Sequence, residues 1–322
     1  MRRLLPAVGL FFLAPVVAEF LLGDFPITYV AALLLLAPLY GGGALFIREI
    51  ARRTGRGRPA MVVLALAYGV FEEGIATQSL FNPDYAHAHL LDKGFVPALG
   101  IALPWTLFVL GLHTVWSISV PIVVVEELAG KRGTEPWLGR TGLAVTAVLL
   151  VAGAAAITLT TYAQYHFMAS PFQLAAVVVI TVALVVLAFR LPRDGRAGSD
   201  RPAPGPVPVL CASLAAGLVF MLAVMLPAVP GVLVQAGLYA GAVWALVTWS
   251  RRPGWGSGQG AALAAGGLLT YAWHGFVQSP VVETPPVLDR VSDVVLALGA
   301  VALCAWARRA VTARRAVTAG HG

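Results

Sequence analysis

Glu72 and Glu73 stand side by side inside the run Met61 to Leu80, whose first eleven residues carry no charge. A charge near the centre of a bilayer costs about 2.5–3.5 kcal/mol on insertion scales. Two adjacent carboxylates at such a depth therefore require water, a cationic partner or a retained proton. Two imidazoles sit at a comparable level. Counting about 1.5 Å per helical residue, the glutamates lie roughly 10 Å from the end of their run. On the same rise His113, after Pro104, lies roughly 14 Å deep, and His274, before Pro280, roughly 9 Å deep. Carboxylates and imidazoles at one level support water activation. One Glu accepts a proton, the second polarises or shares it, and a His stabilises the developing oxyanion. Two His and a Glu also form a zinc ligand set with an open position. No HExxH-type spacing is present, so zinc ranks second and no cofactor is expected.

Each residue also has a plainer reading. Glu72 and Glu73 would brace helices if paired with Arg290, the basic residue nearest that face. His113 would be a buried histidine bonded to a neighbouring helix, and His274, beside Trp273, part of an aromatic belt. Glu126 and Glu127, close to Lys131 and Arg132, read as solvated surface. His87, His89 and His321 read as loop or tail residues. The coincidence of two Glu and two His at one depth outweighs these readings taken singly.

The elements that must position these residues are membrane helices. Of 322 residues, 59% are apolar and 11% charged, against about 25% charged in soluble domains, and the mean hydropathy is +0.83. The expected fold is all-α, a polytopic transmembrane helix bundle in one integral membrane domain, 1–322. Ten spans of about 20 apolar residues fall near 4–22, 27–47, 60–80, 99–125, 141–163, 171–190, 207–227, 230–249, 259–278 and 287–307. Spans 1–6 (1–190) and spans 7–10 (207–307) are separated by a Pro-, Gly- and Arg-rich stretch, 191–208, expected to be a flexible linker. All of the 22 Lys and Arg except Lys93 and Arg290 fall on one side of this layout, which places both termini in the cytoplasm. Arg2-Arg3 and Val16-Val17-Ala18 also fit a cleavable signal peptide; a retained first helix is the preferred reading. Ser79 to Pro97, with Asn82-Pro83-Asp84 as a turn signal, is expected to cap the outer face. The polar core is expected from spans 1, 3, 4, 5, 9 and 10. With its basic residues at span ends, the +7 charge points to membrane topology rather than nucleic acid. Cys211 and Cys304 each lie in an apolar run and offer no disulfide framework. The expected location is the cell membrane, with the lipid bilayer as partner.

The order Glu72-Glu73, then His113, then His274-Gly-Phe-Val-Gln278, each on its own predicted helix, resembles the CAAX-protease and bacteriocin-processing (CPBP) family of intramembrane glutamate proteases. That family carries EExxxR, FxxxH and HxxxN or HxxxD. Thr77 stands here in place of the Arg, Val109 in place of the Phe, and Gln278 in place of Asn or Asp. The resemblance implies a protease-like intramembrane hydrolase acting on an unidentified peptide or small molecule. In it Glu72 activates water, Glu73 assists, His113 and His274 stabilise the oxyanion, and Gln278 supplies the amide. The alternative is a proton-coupled membrane transporter using the same Glu/His cluster. Ten spans divide into five and five, as inverted repeats would, and Pro38 with Gly41-Gly42-Gly43 would break span 2. The Glu pair has no counterpart in spans 6–8, so structural two-fold symmetry is the discriminating observation. A non-catalytic membrane assembly is the third reading.

Overall fold

In a computed structural model, residues 4–192 and 200–319 are described. They form ten helical rods: α1 Leu5–Phe20, α2 Ile27–Arg53, α3 Arg58–Ala76, α4 Leu103–Thr134, α5 Arg140–Tyr165, α6 Pro171–Arg190, α7 Pro206–Ala223, α8 Ala228–Ser250, α9 Ser257–His274 and α10 Pro286–Ala319. Each matches one apolar stretch in the sequence. Hydrocarbon offers no partner for backbone polar groups, so each stretch satisfies them internally as a helix. Proline occupies the first turn of α1, α3, α4, α6, α7 and α10, where its missing N–H is no loss. Seven rods, α2 to α8, are long and apolar enough to cross a membrane, and α1 is a shorter apolar helix. The chain is thus an all-α membrane helix bundle. Within the expected linker, residues 193–199 lie outside the described residues, and the chain is already helical from Pro206.

Between α3 and α4 the chain makes turns and one small antiparallel hairpin, β1 Phe95–Val96 with β2 Ile101–Ala102. The Asn82 side chain accepts from the Asp84 amide at 3.0 Å, fixing the expected turn. Lys93 reaches the carbonyl of Val224 at 2.8 Å, so the segment is tied down onto the end of α7.

Burial sorts the rods. α3 and α4 bury 67% of their most apolar stretch, whereas α6 and α8 bury 11% and turn apolar faces outward to lipid. α5 is similarly exposed, and Thr160, Tyr162, Gln164 and His166 all lie at its surface. Span 5 therefore does not line the polar core as expected, whereas span 2 does, through Tyr40. One buried apolar cluster joins α1 to α4 and contains Tyr40 and Tyr68. A second joins α1, α4, α7 and α9 and contains Leu112, Trp116 and Tyr271. The candidate residues lie along the seam between them.

Four rods widen locally into π-helix: Val16–Phe20 in α1, Ala37–Gly41 in α2, Glu72–Ala76 in α3 and His113–Ser119 in α4. Such turns concentrate at functional sites. Among the described residues, none occurs in α5 to α10. Pro15 precedes the first and Pro38 lies in the second, where a missing amide loosens the α-helical ladder. The glycines after Pro38 do not break α2, which runs through them. They serve close approach: a Cβ on Gly41 would overlap the Phe11 carbonyl, and one on Gly43 the ring of Tyr68.

Candidate functional site

Every one of the four π segments contributes to one polar cluster. They carry Glu19 from α1, Tyr40 from α2, Glu72 and Glu73 from α3, and His113 with Ser117 from α4. A π turn adds one residue to a helical turn, so two successive side chains, Glu72 and Glu73, both reach the interior. They are 0% and 4% exposed, and His113 is 5% exposed.

His113 is held between the two carboxylates. Its Nε2 lies 2.7 Å from Glu73 Oε1 and its Nδ1 3.1 Å from Glu72 Oε2. Nδ1 is also 3.0 Å from Ser117 Oγ, one turn on. The second oxygen of Glu73 accepts from the Thr77 hydroxyl at 3.1 Å and from the Ser79 hydroxyl, which in turn accepts from Trp105 Nε1 at 3.2 Å. Glu73 is thus saturated. Glu72 is not: its approach to Nδ1 is close but poorly aligned, and neither of its oxygens has a hydrogen-bond partner. A short charge-assisted bond to Glu73 favours a proton on Nε2. In the neutral ring, Nδ1 then turns a lone pair toward Glu72.

Aromatic hydroxyls close the cluster. Tyr40 stacks on His113, with centroids 6.0 Å apart and planes at 21°, and its hydroxyl interacts with the carboxyls of Glu19 and Glu72. The buried Tyr68 hydroxyl stands beside Glu72 without an aligned partner. Glu19 lies within electrostatic reach of His113 and Glu73. The residue as a whole is only half-buried.

The third expected motif goes elsewhere. Among the described residues, no hydrogen bond or ion pair joins His274 to Glu72, Glu73 or His113. Its ring neighbours are Tyr271 and Trp273, it interacts with the Leu22 backbone, and its Nδ1 is buried without a partner. Gln278 donates to Asp24 Oδ1 at 2.7 Å. Asp24, in the turn between α1 and α2, has its carboxyl pushed up to about 8, first by burial and then by the charge of Glu19. Asp24 and Glu19 thus stand between the His274–Gln278 end and the Glu72–His113–Glu73 unit.

Two further expectations need correction. Arg290 does not brace the glutamates: its side chain is 59% exposed, and it bonds to the Phe276 carbonyl and to Asp293. Glu126 and Glu127 are not solvated surface. Both are 3% exposed, in an ion network with Arg48, Arg52, Arg58 and Arg314. They look terminal in the sequence, but the ends of α2, α3 and α10 pack around that end of α4. The site residues not assigned from the sequence are Glu19, Tyr40, Tyr68 and Ser117. Two were legible as helical neighbours, since Tyr68 precedes Glu72 by four residues and Ser117 follows His113 by four.

One nitrogen of His113 and one oxygen each of Glu72 and Glu73 lie within 4.8 Å of one another, the compass of a metal ion. The unit thus offers a base with free lone pairs, an imidazole oriented from behind, and neutral donors beside them. No curated protein and no solved structure matches the chain. A family model described as an uncharacterized membrane protein family matches residues 9–314, and the chain belongs to that family.

Proposed function

We propose that the chain is an intramembrane hydrolase in which Glu72 takes the proton of an attacking water. The observation that carries this reading is the buried, unpartnered carboxylate of Glu72 beside an imidazole anchored by Glu73. A carboxylate with free lone pairs accepts a proton from water, whose oxygen adds to a substrate carbonyl. The C–N bond then breaks, and the amine leaves with the proton that Glu72 received. His113, with Nε2 held by Glu73, stabilises the charge on the carbonyl oxygen in the imidazolium form, in which Nδ1 also carries a proton to donate. In place of His274 and Gln278, the hydroxyls of Tyr40 and Tyr68 are the nearest further donors. The Glu pair and His113 stand together as the resemblance to the CPBP proteases implies, although Thr77 and Val109 replace the Arg and Phe of those motifs; His274 and Gln278 do not join them. Confinement of the π segments to α1–α4 also favours one asymmetric site over an inverted-repeat carrier.

The test uses the full chain in lipid nanodiscs, a library of membrane-spanning peptides and isotopically labelled water. Hydrolysis puts the label into a new carboxyl terminus, read by mass spectrometry. Glu72→Gln should reduce that signal by roughly 10²–10⁴-fold. Undiminished cleavage in this variant would overturn the assignment.

A proton-coupled carrier is the second reading, favoured by the extra acids Glu19 and Asp24, which continue from the site to the α1–α2 turn. Proton flux into dye-loaded vesicles, lost in Glu72→Gln and unaccompanied by cleavage, would support it.

A further inference from the structure

We infer that the space between Glu72 and His113 Nδ1 is a binding site for one divalent transition-metal ion, zinc in the first instance. The inference deepens the hydrolase reading, on which only the use of a bound water rests; the binding stands without it. Zinc takes imidazole nitrogen and carboxylate oxygen at about 2.0–2.2 Å in tetrahedral geometry. The two sides of His113 are not equivalent by that measure. Ligand atoms 2.7 Å apart, the Nε2–Glu73 separation, would subtend about 80° at a zinc ion with such bonds. That is too narrow, and the contact is an ordinary hydrogen bond. Atoms 3.1 Å apart, the Nδ1–Glu72 separation, subtend about 95° with the same bonds, nearer to tetrahedral.

The surroundings make the same assignment. A metal-bound histidine characteristically donates its other N–H to a carboxylate, which fixes the tautomer and strengthens the ligand. Glu73 occupies that place on Nε2 and is itself anchored by Thr77 and Ser79. Glu72 is 0% exposed with both oxygens unpartnered, the condition of a buried anion facing its cation. Ser117 Oγ, 3.0 Å from Nδ1, is a polar contact such an ion would displace, and the hydroxyls of Tyr40 and Tyr68 stand beside Glu72. Glu19, reached through Tyr40, is a further carboxylate beside the unit. The missing HExxH spacing excludes only two histidines on one helix; here π turns of two helices face each other.

The experiment uses the purified full chain in detergent, stripped with a chelator, with cobalt(II) as the optical probe and zinc as competitor. The expected result is one cobalt per chain, with the intense visible absorption of a low-coordinate nitrogen–oxygen site, abolished by zinc. Glu72→Gln and His113→Asn should remove the bands. Glu73→Gln should weaken binding by about 10–100-fold, as loss of an orienting partner does. A double His87→Asn, His89→Asn variant, altering the exposed histidines, should leave the bands unchanged. Weak absorption of the hydrated ion, or bands that survive in Glu72→Gln and His113→Asn, would overturn the site. If those variants fail to fold, the zinc retained by wild-type protein decides: X-ray absorption must show one ion with nitrogen and oxygen ligands, and less than one ion overturns the proposal. Cleavage that persists in fully stripped protein would remove the ion and leave the hydrolase; a bound ion without cleavage would do the reverse.

Discussion

Two groups of buried charge are spaced along α4, one around His113 and one around Glu126 and Glu127, and they are built differently. In the second, arginine-rich group, Arg48 is 0% exposed and enclosed by Glu49 at 2.5 Å, Glu126 at 3.3 Å, the Gly133 carbonyl at 2.8 Å and the Trp137 ring at 3.4 Å. Arg52 grips Glu126 with two bonds of 2.8 and 2.6 Å, and Arg58 meets Glu127 at 2.6 Å. Glu49 spends its oxygens further on the amides of Trp137 and Leu138. The Glu72–His113–Glu73 unit instead brackets one imidazole between two carboxylates and leaves Glu72 unpartnered. A buried charge with every lone pair occupied holds helices in register. One with lone pairs free is poised to accept a proton or an ion. The same residue, glutamate, is thus tied on every side in one group and left without a hydrogen-bond partner in the other.

The contrast yields four predictions. The first is all-or-none and asks which end faces the cytoplasm. With Cys211 and Cys304 replaced by Ser, a cysteine at Asp84 or Thr284 should react with an impermeant thiol reagent on intact cells, and one at Ser257 should not. The opposite pattern would reverse the orientation read from the basic residues. The second sets the two glutamate types against each other. Glu126→Gln should destabilise the protein by about 3–5 kcal/mol, because Arg48 and Arg52 lose a buried partner. Glu72→Gln should hold or raise the melting temperature, since a neutral amide is cheaper to bury. Equal losses in both would erase the distinction. The third concerns Asp24, whose carboxyl is pushed up to about 8. The folded chain keeps a proton there that the unfolded chain releases near pH 4, so this group's contribution to stability falls as pH rises through the window from about 4 to about 8. Asp24→Asn should flatten that slope in melting curves and leave the protein more stable at the alkaline end. The smallest effect belongs to Arg290→Gln, within about 0.5 kcal/mol, as for an exposed ion pair. A large loss there would restore Arg290 as a brace.

The ten helices were legible from hydropathy, and seven of them, α2 to α8, are long and apolar enough to span hydrocarbon. The Glu72–Glu73 and His113 pairing was legible from depth alone. Depth fixes a residue along the membrane normal and says nothing of azimuth, and this is why His274, at a matching depth, turns to Leu22 and Tyr271 instead. Glu126 shows the converse limit. A charged residue at a helix end reads as solvated unless the ends of neighbouring helices close over it, and that closure is a property of packing. Tyr40 was illegible for a different reason: an apolar run containing one tyrosine gives no cue that a π turn swings its hydroxyl toward Glu19.

The π segments also bear on how such a chain is descended and compared. Each equals a single residue inserted into an ordinary α-helix, and one inserted residue turns everything beyond it by about 100°. Were each segment an insertion of that kind, four small genetic events would account for them, none lengthening a helix enough to disturb its fit to the bilayer. Ancestral forms lacking them would keep the same ten-helix outline while aiming Glu19, Tyr40, Glu72 and His113 in other directions. Lone one-residue gaps inside membrane helices of relatives would then mark where this polar centre was gained or lost.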